Sequence, residues 1–320
     1  MYLASTAPDW AFINPKEYFD YNRATGSNAI ACQAYTHGGY AFYPTKLGPV
    51  APGPGSELLP RLYELAKKAG LPFWSYFCVG IDITLSSLRP NWRIPADHPE
   101  ILGEGIFLGP ESPWTDLLCA RIREFLTDYP VDWMLFDWFV YGNTSPDTYR
   151  VQPVWFAEEP FKEIIGRPMP GHAREISDEE NLRYKREVLS RQFRRIRDAV
   201  RETSPGTRII FNVPYQRAAE PLWVGHPMLD ESDGLFAECS RSEVLDWLLS
   251  VRKPHQRVMT TIIGRMEKGE CDPGSWRHWY DKDCDFFGYA WGTPPQVRAH
   301  PFYDEGLKVI RQAFHAMKQR

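Results

Sequence analysis

Short runs of apolar and β-branched residues alternate with helical patterns along almost the whole chain, and this alternation limits the possible folds more than any other feature. It predicts βα units arranged around a parallel sheet. The seven clearest predicted strands are Ala29–Ala34, Pro72–Gly80, Trp133–Phe139, Arg208–Val213, Gly234–Glu238, Val258–Ile263 and Phe286–Trp291. A further strand near Trp10–Ile13 precedes them. Eight strands predict a (β/α)8 TIM barrel, here as a single domain spanning residues 1–320.

Capping patterns set the predicted ends of the helices between these strands. A serine before a helix accepts hydrogen bonds from the first free N–H groups, and a glycine after the helix permits the left-handed turn that ends it. A glutamate three residues after the capping serine completes a capping box. The predicted caps are Ser56 before Glu57–Ala69, Gly70 after that helix, Ser112 with Pro113 before Trp114–Asp128, and the pairs Ser177 with Glu180 and Ser240 with Glu243.

The longest segment without a predicted strand is residues 141–177, which is rich in Pro, Trp and Phe. It directly follows the strand Trp133–Phe139. In a barrel, expanded loops after strands lie on the catalytic face. This segment is therefore predicted to be an expanded loop that forms an aromatic wall of a pocket.

Composition and charge exclude several classes of function. The chain has 320 residues, 43% of them hydrophobic and 24% charged. It has no apolar run of roughly 18 residues, so we expect a soluble globular protein without a membrane span. A net charge of −4 gives no long-range attraction for nucleic acid or an anionic membrane. The arginine-rich stretch 183–201 also carries interleaved acidic residues, which is typical of a solvated outer helix. Whether the chain forms a homo-oligomer stays open.

The cysteines and the amino terminus indicate a cellular compartment. The six cysteines form no CxxC pair and no compact framework, so they are predicted to be free, mostly buried thiols. Free thiols are typical of a reducing compartment. The amino terminus lacks the basic and apolar regions of a signal peptide. These features predict a cytoplasmic location, with a signal peptide removed from a longer precursor as the alternative.

Motifs for a metal, a phosphate or a serine nucleophile do not occur in the sequence. The chain has no HExxH motif, no close pair of histidines, no P-loop and no GxSxG elbow. We therefore expect no metal and no cofactor. A metal held jointly by His37, Asp82 and Asp137 is the arrangement that the sequence leaves open.

Asp137 is the first candidate for chemistry because it interrupts an apolar strand between aromatic residues. Burying an unpaired carboxylate costs several kcal/mol or raises its pKa, so a partner or a chemical role is expected. We favour a catalytic role over the alternative that Asp137 caps the next loop or pairs with an arginine. Asp132, just before the strand core, is interpreted as a turn or cap residue.

Glu238 is the second candidate because it ends the next-but-one predicted strand and is expected to face the same rim as Asp137. Two carboxylates on one rim of an aromatic pocket suit glycoside hydrolysis. One attacks or stabilises the anomeric carbon, and the other protonates the leaving oxygen. A salt bridge to a neighbouring arginine is the alternative for Glu238, and Glu267 is the reserve candidate for the acid/base role.

Aromatic and amide side chains at the predicted strand ends complete a sugar-binding pocket. Indole and phenol rings stack on the apolar face of a pyranose, while an amide binds sugar hydroxyls. Asn212 supplies the amide. The strand-end aromatics are Trp74, Tyr76, Trp138, Tyr215, Tyr289 and Trp291. Core packing is the alternative for each of these rings.

The segment Ala34–Thr45 carries an imidazole, several phenols and two glycines where a strand breaks into a turn. It resembles the second-strand motif of the α-L-fucosidases, in which Lys-His-His-Asp-Gly-Phe leads to Trp-Pro-Ser or Trp-Pro-Thr. His37 matches the second histidine, and Gly39 and Tyr40 match the glycine and phenylalanine that follow. Tyr43-Pro44-Thr45 matches the end of the motif, while Tyr35, Thr36 and Gly38 stand where fucosidases have lysine, the first histidine and aspartate.

Two further segments resemble fucosidase strands and occur in the same order along the chain. Residues 70–77 resemble the third strand, and Phe136-Asp137 resembles the Phe-Asp pair that supplies the nucleophile. The pair Ala237-Glu238 is similar to a strand end in uncharacterised barrel families related to fucosidases and to the galactosidase clan. The β-sandwich that many fucosidases append has no counterpart in this sequence.

The resemblance implies a retaining exo-glycoside hydrolase with Asp137 as nucleophile and Glu238 as general acid and then base. It implies an oligosaccharide or glycoside substrate. The predicted substrate-binding residues are His37, Tyr35, Tyr43, Trp74, Tyr76, Trp138, Asn212 and Trp291. A different sugar specificity within the galactosidase clan and a non-catalytic oligosaccharide-binding barrel are the alternatives. An enzyme requires both carboxylates to face one pocket.

Overall fold

The computed structural model describes residues 14–24, 26–95, 106–142, 150–213, 220–237, 242–263, 281–282, 284–289 and 315. Within this part of the chain, seven strands form one parallel sheet whose spatial order follows the sequence. The strands are β1 Ile30–Tyr35, β2 Phe73–Cys78, β3 Trp133–Asp137, β4 Arg208–Asn212, β5 Gly234–Ala237, β6 Arg257–Ile263 and β7 Cys284–Tyr289. Both ends of each strand lie within two residues of the predicted bounds. The strand predicted near Trp10–Ile13 lies outside the described residues.

Helices connect the strands. They are α1 Pro15–Ala24, α2 Leu58–Lys68, α3 Ile83–Leu88, α4 Trp114–Asp128, α5 Glu158–Ile165, α6 Asp178–Thr203, α7 Glu220–Trp223, α8 Pro227–Glu231 and α9 Ser242–Val251. The capping box of Ser177 and Glu180 is confirmed at the start of α6. The cap predicted at Ser56 is wrong, because Gly53–Glu57 forms a 3-10 turn and the α-helix begins only at Leu58. Ser240 lies outside the described residues.

The segment predicted as an expanded loop contains regular structure of its own. Its described residues include α5 and a 3-10 turn at Ala173–Glu175, and none of them is a strand. Trp155 in this segment is 56% exposed, and its indole N–H donates a hydrogen bond to the backbone oxygen of Asn91 at 2.9 Å. This segment therefore has an exposed indole that is hydrogen-bonded to the loop after β2, and the aromatic wall stays a prediction.

The two faces of the sheet have different packing partners. Successive side chains of a strand point to opposite faces. Phe77 of β2 packs against Phe125 of α4 at 5.3 Å between ring centroids, and Phe211 of β4 packs against Phe193 of α6 at the same distance. The strand residues directly before and after these phenylalanines point to the opposite face of the sheet, away from α4 and α6. Because both faces of the sheet are covered, β2 is buried at every position. A strand that is covered on both faces has a nearly continuous apolar sequence.

A bulge near the end of β1 decides where Tyr35 points. Gln33 pairs with Tyr76, which faces the interior, and regular alternation would place Tyr35 on that face as well. The register instead shifts after Gln33, so that Tyr35 pairs with Phe77. An extra residue in one strand sends the following side chain to the opposite face. Tyr35 therefore points toward the helices, stacked on Phe77 with ring centroids 6.2 Å apart.

The described cysteines match the predicted free thiols. Cys32, Cys78, Cys119 and Cys284 are all buried, and none of them forms a disulfide. Among the described residues, no helix is both long and apolar enough to span a membrane.

Candidate active site

Three polar side chains meet at the carboxyl ends of β2, β3 and β4. Tyr76 donates its hydroxyl hydrogen to Asp137 Oδ2 at 2.9 Å, and Asn212 donates from Nδ2 to Asp137 Oδ1 at 2.8 Å. The three strands are neighbours in the sheet, and parallel strands end on one rim. The structure therefore brings three of the predicted site residues into one hydrogen-bonded group.

The backbone turns sharply directly after Asp137. The N–H of Trp138 donates to Asp137 Oδ1 at 2.7 Å. Trp138 has φ 54°, and it is the one non-glycine residue with positive φ in the described part of the chain. Such conformations cost about 1–3 kcal/mol and cluster at functional sites. Gly80 permits the turn, because a Cβ there would lie 2.3 Å from the carbonyl oxygen of Trp138.

Burial and hydrogen bonding act in opposite directions on the Asp137 carboxyl. Burial raises its pKa above the ordinary 3.8, while the donors on Asn212, Trp138 and Tyr76 and the nearby His37 lower it, and the raising effect is larger. The residue keeps some exposure to solvent. An amide N–H and a backbone N–H only donate, so these two hydrogen bonds favour the ionised carboxylate and offset part of the effect of burial on its pKa.

His37 lies on the turn after β1 and is partly exposed. Burial lowers the pKa of its imidazole from the ordinary 6.5, and the charge of Asp137 opposes that change only in part. At neutral pH the neutral ring is the favoured form. A neutral imidazole offers one donor and one acceptor, which suits a sugar hydroxyl.

Tyr35 and Tyr43 do not reach the rim, which corrects their predicted role in substrate binding. Both residues are completely buried. Tyr43 packs against Phe125 of α4 with ring centroids 5.1 Å apart and against Tyr129 at 6.0 Å. A ring enclosed between the sheet and α4 cannot stack on a sugar, so we assign both tyrosines to the support of the site.

Trp74 lies deeper in the sheet interior than Tyr76, two residues earlier on the same face of β2. It stacks on Trp133 at 4.8 Å between ring centroids and is 9% exposed. This packing favours the core alternative for Trp74. Trp138 is partly exposed and contacts Phe107 at 6.1 Å. Because its ring is partly exposed and follows Asp137 directly in the chain, Trp138 stays a candidate for contact with a ligand.

The remaining predicted site residues lie outside the described residues. They are Glu238, Glu267, Tyr215 and Trp291. Tyr289 lies in β7, and nothing is described of its side chain. Glu238 directly follows Ala237, the last residue of β5. Among the described residues, no three His, Cys, Asp or Glu side chains are grouped as metal ligands.

Glu111 is a buried carboxyl that sequence reasoning missed. Burial raises its pKa to about 7, against the lowering effect of its hydrogen bonds from Tyr184 and from its own backbone. The Tyr184 hydroxyl donates to Glu111 Oε1. Glu111 lies in the turn before α4, where a glutamate is ordinarily exposed. Its hydrogen-bond partner Tyr184 belongs to α6, 73 residues further along the chain. No local pattern signals that contact.

We expect Glu111→Gln to stabilise the protein increasingly as the pH rises from 4.5 to about 7, with the full gain above that pH. The fold favours protonated Glu111, so its contribution to stability is complete below pH 4.5 and is lost as the pH rises through about 7. Glutamine is neutral throughout, so the variant should gain up to about 3 kcal/mol in free energy of unfolding at pH 8. Urea unfolding at pH 5 and pH 8 measures this. Glu64→Gln, at an exposed position, is the control and should change the free energy of unfolding by less than about 0.5 kcal/mol. Equal stability of Glu111→Gln and wild type at pH 8 would contradict the burial argument.

Several solved structures with a similar fold are α-L-fucosidases. The chain matches α-L-fucosidase isoenzyme 2 from Paenibacillus thiaminolyticus with a TM-score of 0.71 and 16% identity, covering 98% of this chain and 47% of that one. It matches the unliganded α-L-fucosidase of Lactobacillus casei with a TM-score of 0.52 and 15% identity, covering 98% and 83%. The chain thus spans about half the length of the Paenibacillus enzyme.

Comparisons at the level of sequence are negative. No protein-family model matches the chain. No curated protein matches it either. The structural likeness, at this low identity, confirms the fold: the chain is an α/β barrel of the (β/α)8 type that these fucosidases have.

Proposed function

We propose that this chain is a glycoside hydrolase with fucosidase-like chemistry, in which Asp137 is the nucleophile. The observation that supports this most is the Asp137 carboxylate at a strand end, bound by Tyr76 and Asn212 on the rim where barrel enzymes act. The fold shared with α-L-fucosidases supports the same class of reaction.

The hydrogen bonds favour a nucleophile over a general acid at Asp137. A general acid must carry a proton, whereas the Asn212 amide and the Trp138 N–H both direct hydrogen atoms at Oδ1. Oδ2 accepts one hydrogen bond from Tyr76 and is the oxygen available to attack. When Oδ2 attacks the sugar, it loses the hydrogen bond from the Tyr76 hydroxyl. That hydroxyl then donates its hydrogen to a sugar oxygen instead.

The proposed reaction has two displacements. Asp137 attacks the anomeric carbon while Glu238 protonates the departing oxygen, which leaves a glycosyl ester on Asp137. Glu238 then takes a proton from water, the water oxygen attacks the anomeric carbon, and the ester bond breaks with configuration retained. This route requires the two carboxyl groups to be about 5–5.5 Å apart. Neutral His37 and the ring of Trp138 would bind the sugar.

A screen of aryl glycosides tests this function, beginning with an α-L-fucoside and a β-D-galactoside. We expect turnover of the fucoside, and NMR of the first sugar released should show the anomer of the substrate. Inverted product would remove Asp137 from the nucleophile role. No turnover of any aryl glycoside, together with oligosaccharide binding by calorimetry, would overturn the hydrolase proposal in favour of a binding barrel.

A further inference from the structure

The turn that carries His37 is held by the first residues of α3. The backbone oxygen of His37 accepts a hydrogen bond from Ile83 N at 2.9 Å. The backbone oxygen of Gly38 accepts one from Thr84 Oγ1 at 2.8 Å. The orientation of the imidazole at the rim therefore depends on where the start of α3 lies.

Asp82 fixes the start of α3 by capping it. Its Oδ1 accepts from Leu85 N at 2.6 Å, which satisfies one of the free N–H groups of that short helix. The same oxygen also touches the His37 turn. A Cβ on Gly39, which has φ +87°, would lie 2.2 Å from Asp82 Oδ1. The turn and the carboxylate are thus in direct contact, with no room for a side chain between them.

The other Asp82 oxygen is bound from β1 and α4. Arg121 Nη1 donates to Oδ2 at 3.0 Å, and both side chains are almost completely buried. The Tyr35 hydroxyl lies 3.3 Å from Oδ2 and 2.9 Å from the Gly39 oxygen, so its single hydrogen serves one of the two. The Arg121 guanidinium stacks on the Tyr35 ring at 4.1 Å and donates from Nε to Leu47 O. A buried ion pair with this many partners holds one geometry, because a displaced charge would be left unpaired.

We propose that Asp82, oriented by Arg121 and Tyr35, is a positioning residue that sets the His37 imidazole for sugar binding. This inference rests on the proposed function, since it assigns the role of His37 to a sugar hydroxyl. Asp82 itself does not touch substrate. It acts through the turn at residues 36–40, and the ion pair with Arg121 transmits the position of α4 to that turn.

A double-mutant cycle separates positioning from a purely structural role. Asp82→Asn keeps the capping oxygen and removes the charge, and it should raise KM about tenfold with little change in kcat. His37→Ala should raise KM by a similar factor. If Asp82 acts through His37, adding Asp82→Asn to His37→Ala should raise KM by less than about twofold. Fully multiplied effects of the two substitutions would overturn the proposal.

The matched control is Asp233→Asn, which also weakens an aspartate–arginine pair. Asp233 accepts two hydrogen bonds from Arg201 next to the first residue of β5, at the opposite end of the sheet. The Asp233→Asn variant should have a lower free energy of unfolding than wild type and an unchanged KM. If Asp82→Asn fails to fold, Tyr35→Phe removes a weaker contact to the same carboxylate and should raise KM about threefold.

Hydrogen exchange tests the positioning without requiring turnover. Asp82→Asn should speed exchange in the peptide that contains residues 36–41, relative to wild type and to Asp233→Asn. Unchanged exchange in that peptide would overturn the proposal even for an active enzyme. Faster exchange in a protein that hydrolyses no glycoside would support the positioning of the turn while rejecting the hydrolase function.

Discussion

Asp137→Asn is expected to lower kcat/KM on an aryl glycoside by at least about 10³-fold, because an amide cannot form the glycosyl ester. Asparagine has the shape of the aspartate and can keep the hydrogen bonds at Oδ1 from Asn212 and Trp138. The Tyr76 hydroxyl can accept from the new amide. The loss should therefore appear in catalysis and leave the fold intact.

The stability of Asp137→Asn provides a second readout with a definite sign. The pKa of Asp137 is raised in the folded protein, so the ionised carboxylate opposes folding. The stabilising contribution of protonated Asp137 is complete below its unfolded pKa and is lost as the pH rises through its folded pKa. Asparagine avoids that loss, so the variant should melt at the same temperature as wild type or higher at pH 7.

Asp132→Asn is the matched control for this substitution. Asp132 lies just before β3, at the other end of the strand from Asp137, and accepts a hydrogen bond from Phe73 N at 2.8 Å. It should retain wild-type kcat/KM. Chemical rescue adds a mechanistic test, since azide should restore turnover of Asp137→Gly and yield a glycosyl azide of inverted configuration. Activity of Asp137→Asn within about tenfold of wild type would reject Asp137 as the nucleophile.

Gly80→Ala is expected to lower the free energy of unfolding by about 3 kcal/mol and to reduce activity as well. The added Cβ would lie 2.3 Å from the backbone oxygen of Trp138, and backbone cannot move aside as a flexible side chain can. Relief of the clash must shift Trp138, whose N–H binds Asp137 Oδ1. The substitution thus acts on the carboxylate without touching it.

Gly206→Ala is the control for Gly80→Ala, because a Cβ at Gly206 would meet no atom within 4 Å. Its free energy of unfolding should stay within about 0.5 kcal/mol of wild type. Chemical denaturation of both variants measures the change in the free energy of unfolding. The pH dependence of kcat/KM measures the change in activity. If Gly80→Ala matched the control in stability and activity, the close approach of Gly80 to Trp138 would have no energetic consequence.

The sequence predicted the strands well because their signal is local. Continuous apolar runs ending in a polar residue located β3 and β4, and hence Asp137 and Asn212 at their ends. The carboxyl ends of β3 and β4 lie close together because the strands are parallel neighbours, and a barrel has all its strand carboxyl ends on one rim. The sequence therefore predicted that Tyr76, Asp137 and Asn212 belong to the site, but it did not predict the hydrogen bonds between them.

The errors arose where a side chain depends on contacts between distant parts of the chain. Tyr35 shares its motif with His37, yet the bulge after Gln33 turns it toward Asp82, 47 residues further on. Tyr43 is enclosed by α4, and Glu111 by α6, so each is buried by an element that its own sequence neighbourhood does not contain. The cap predicted at Ser56 failed for a different reason, because a 3-10 turn there precedes the helix.

Sequence alone determined the succession of strands and helices, the polar ends of β3 and β4, and the placement of His37 on a turn. These depend on residue period, on caps and on turn residues, which act over a few positions. Tertiary structure decided which aromatic rings reach the rim, and it oriented the donors around Asp137. It also placed Asp82 beneath the His37 turn. Burial and hydrogen-bond geometry depend on residues far apart in the chain, so they are established only when the sheet and its outer helices pack together.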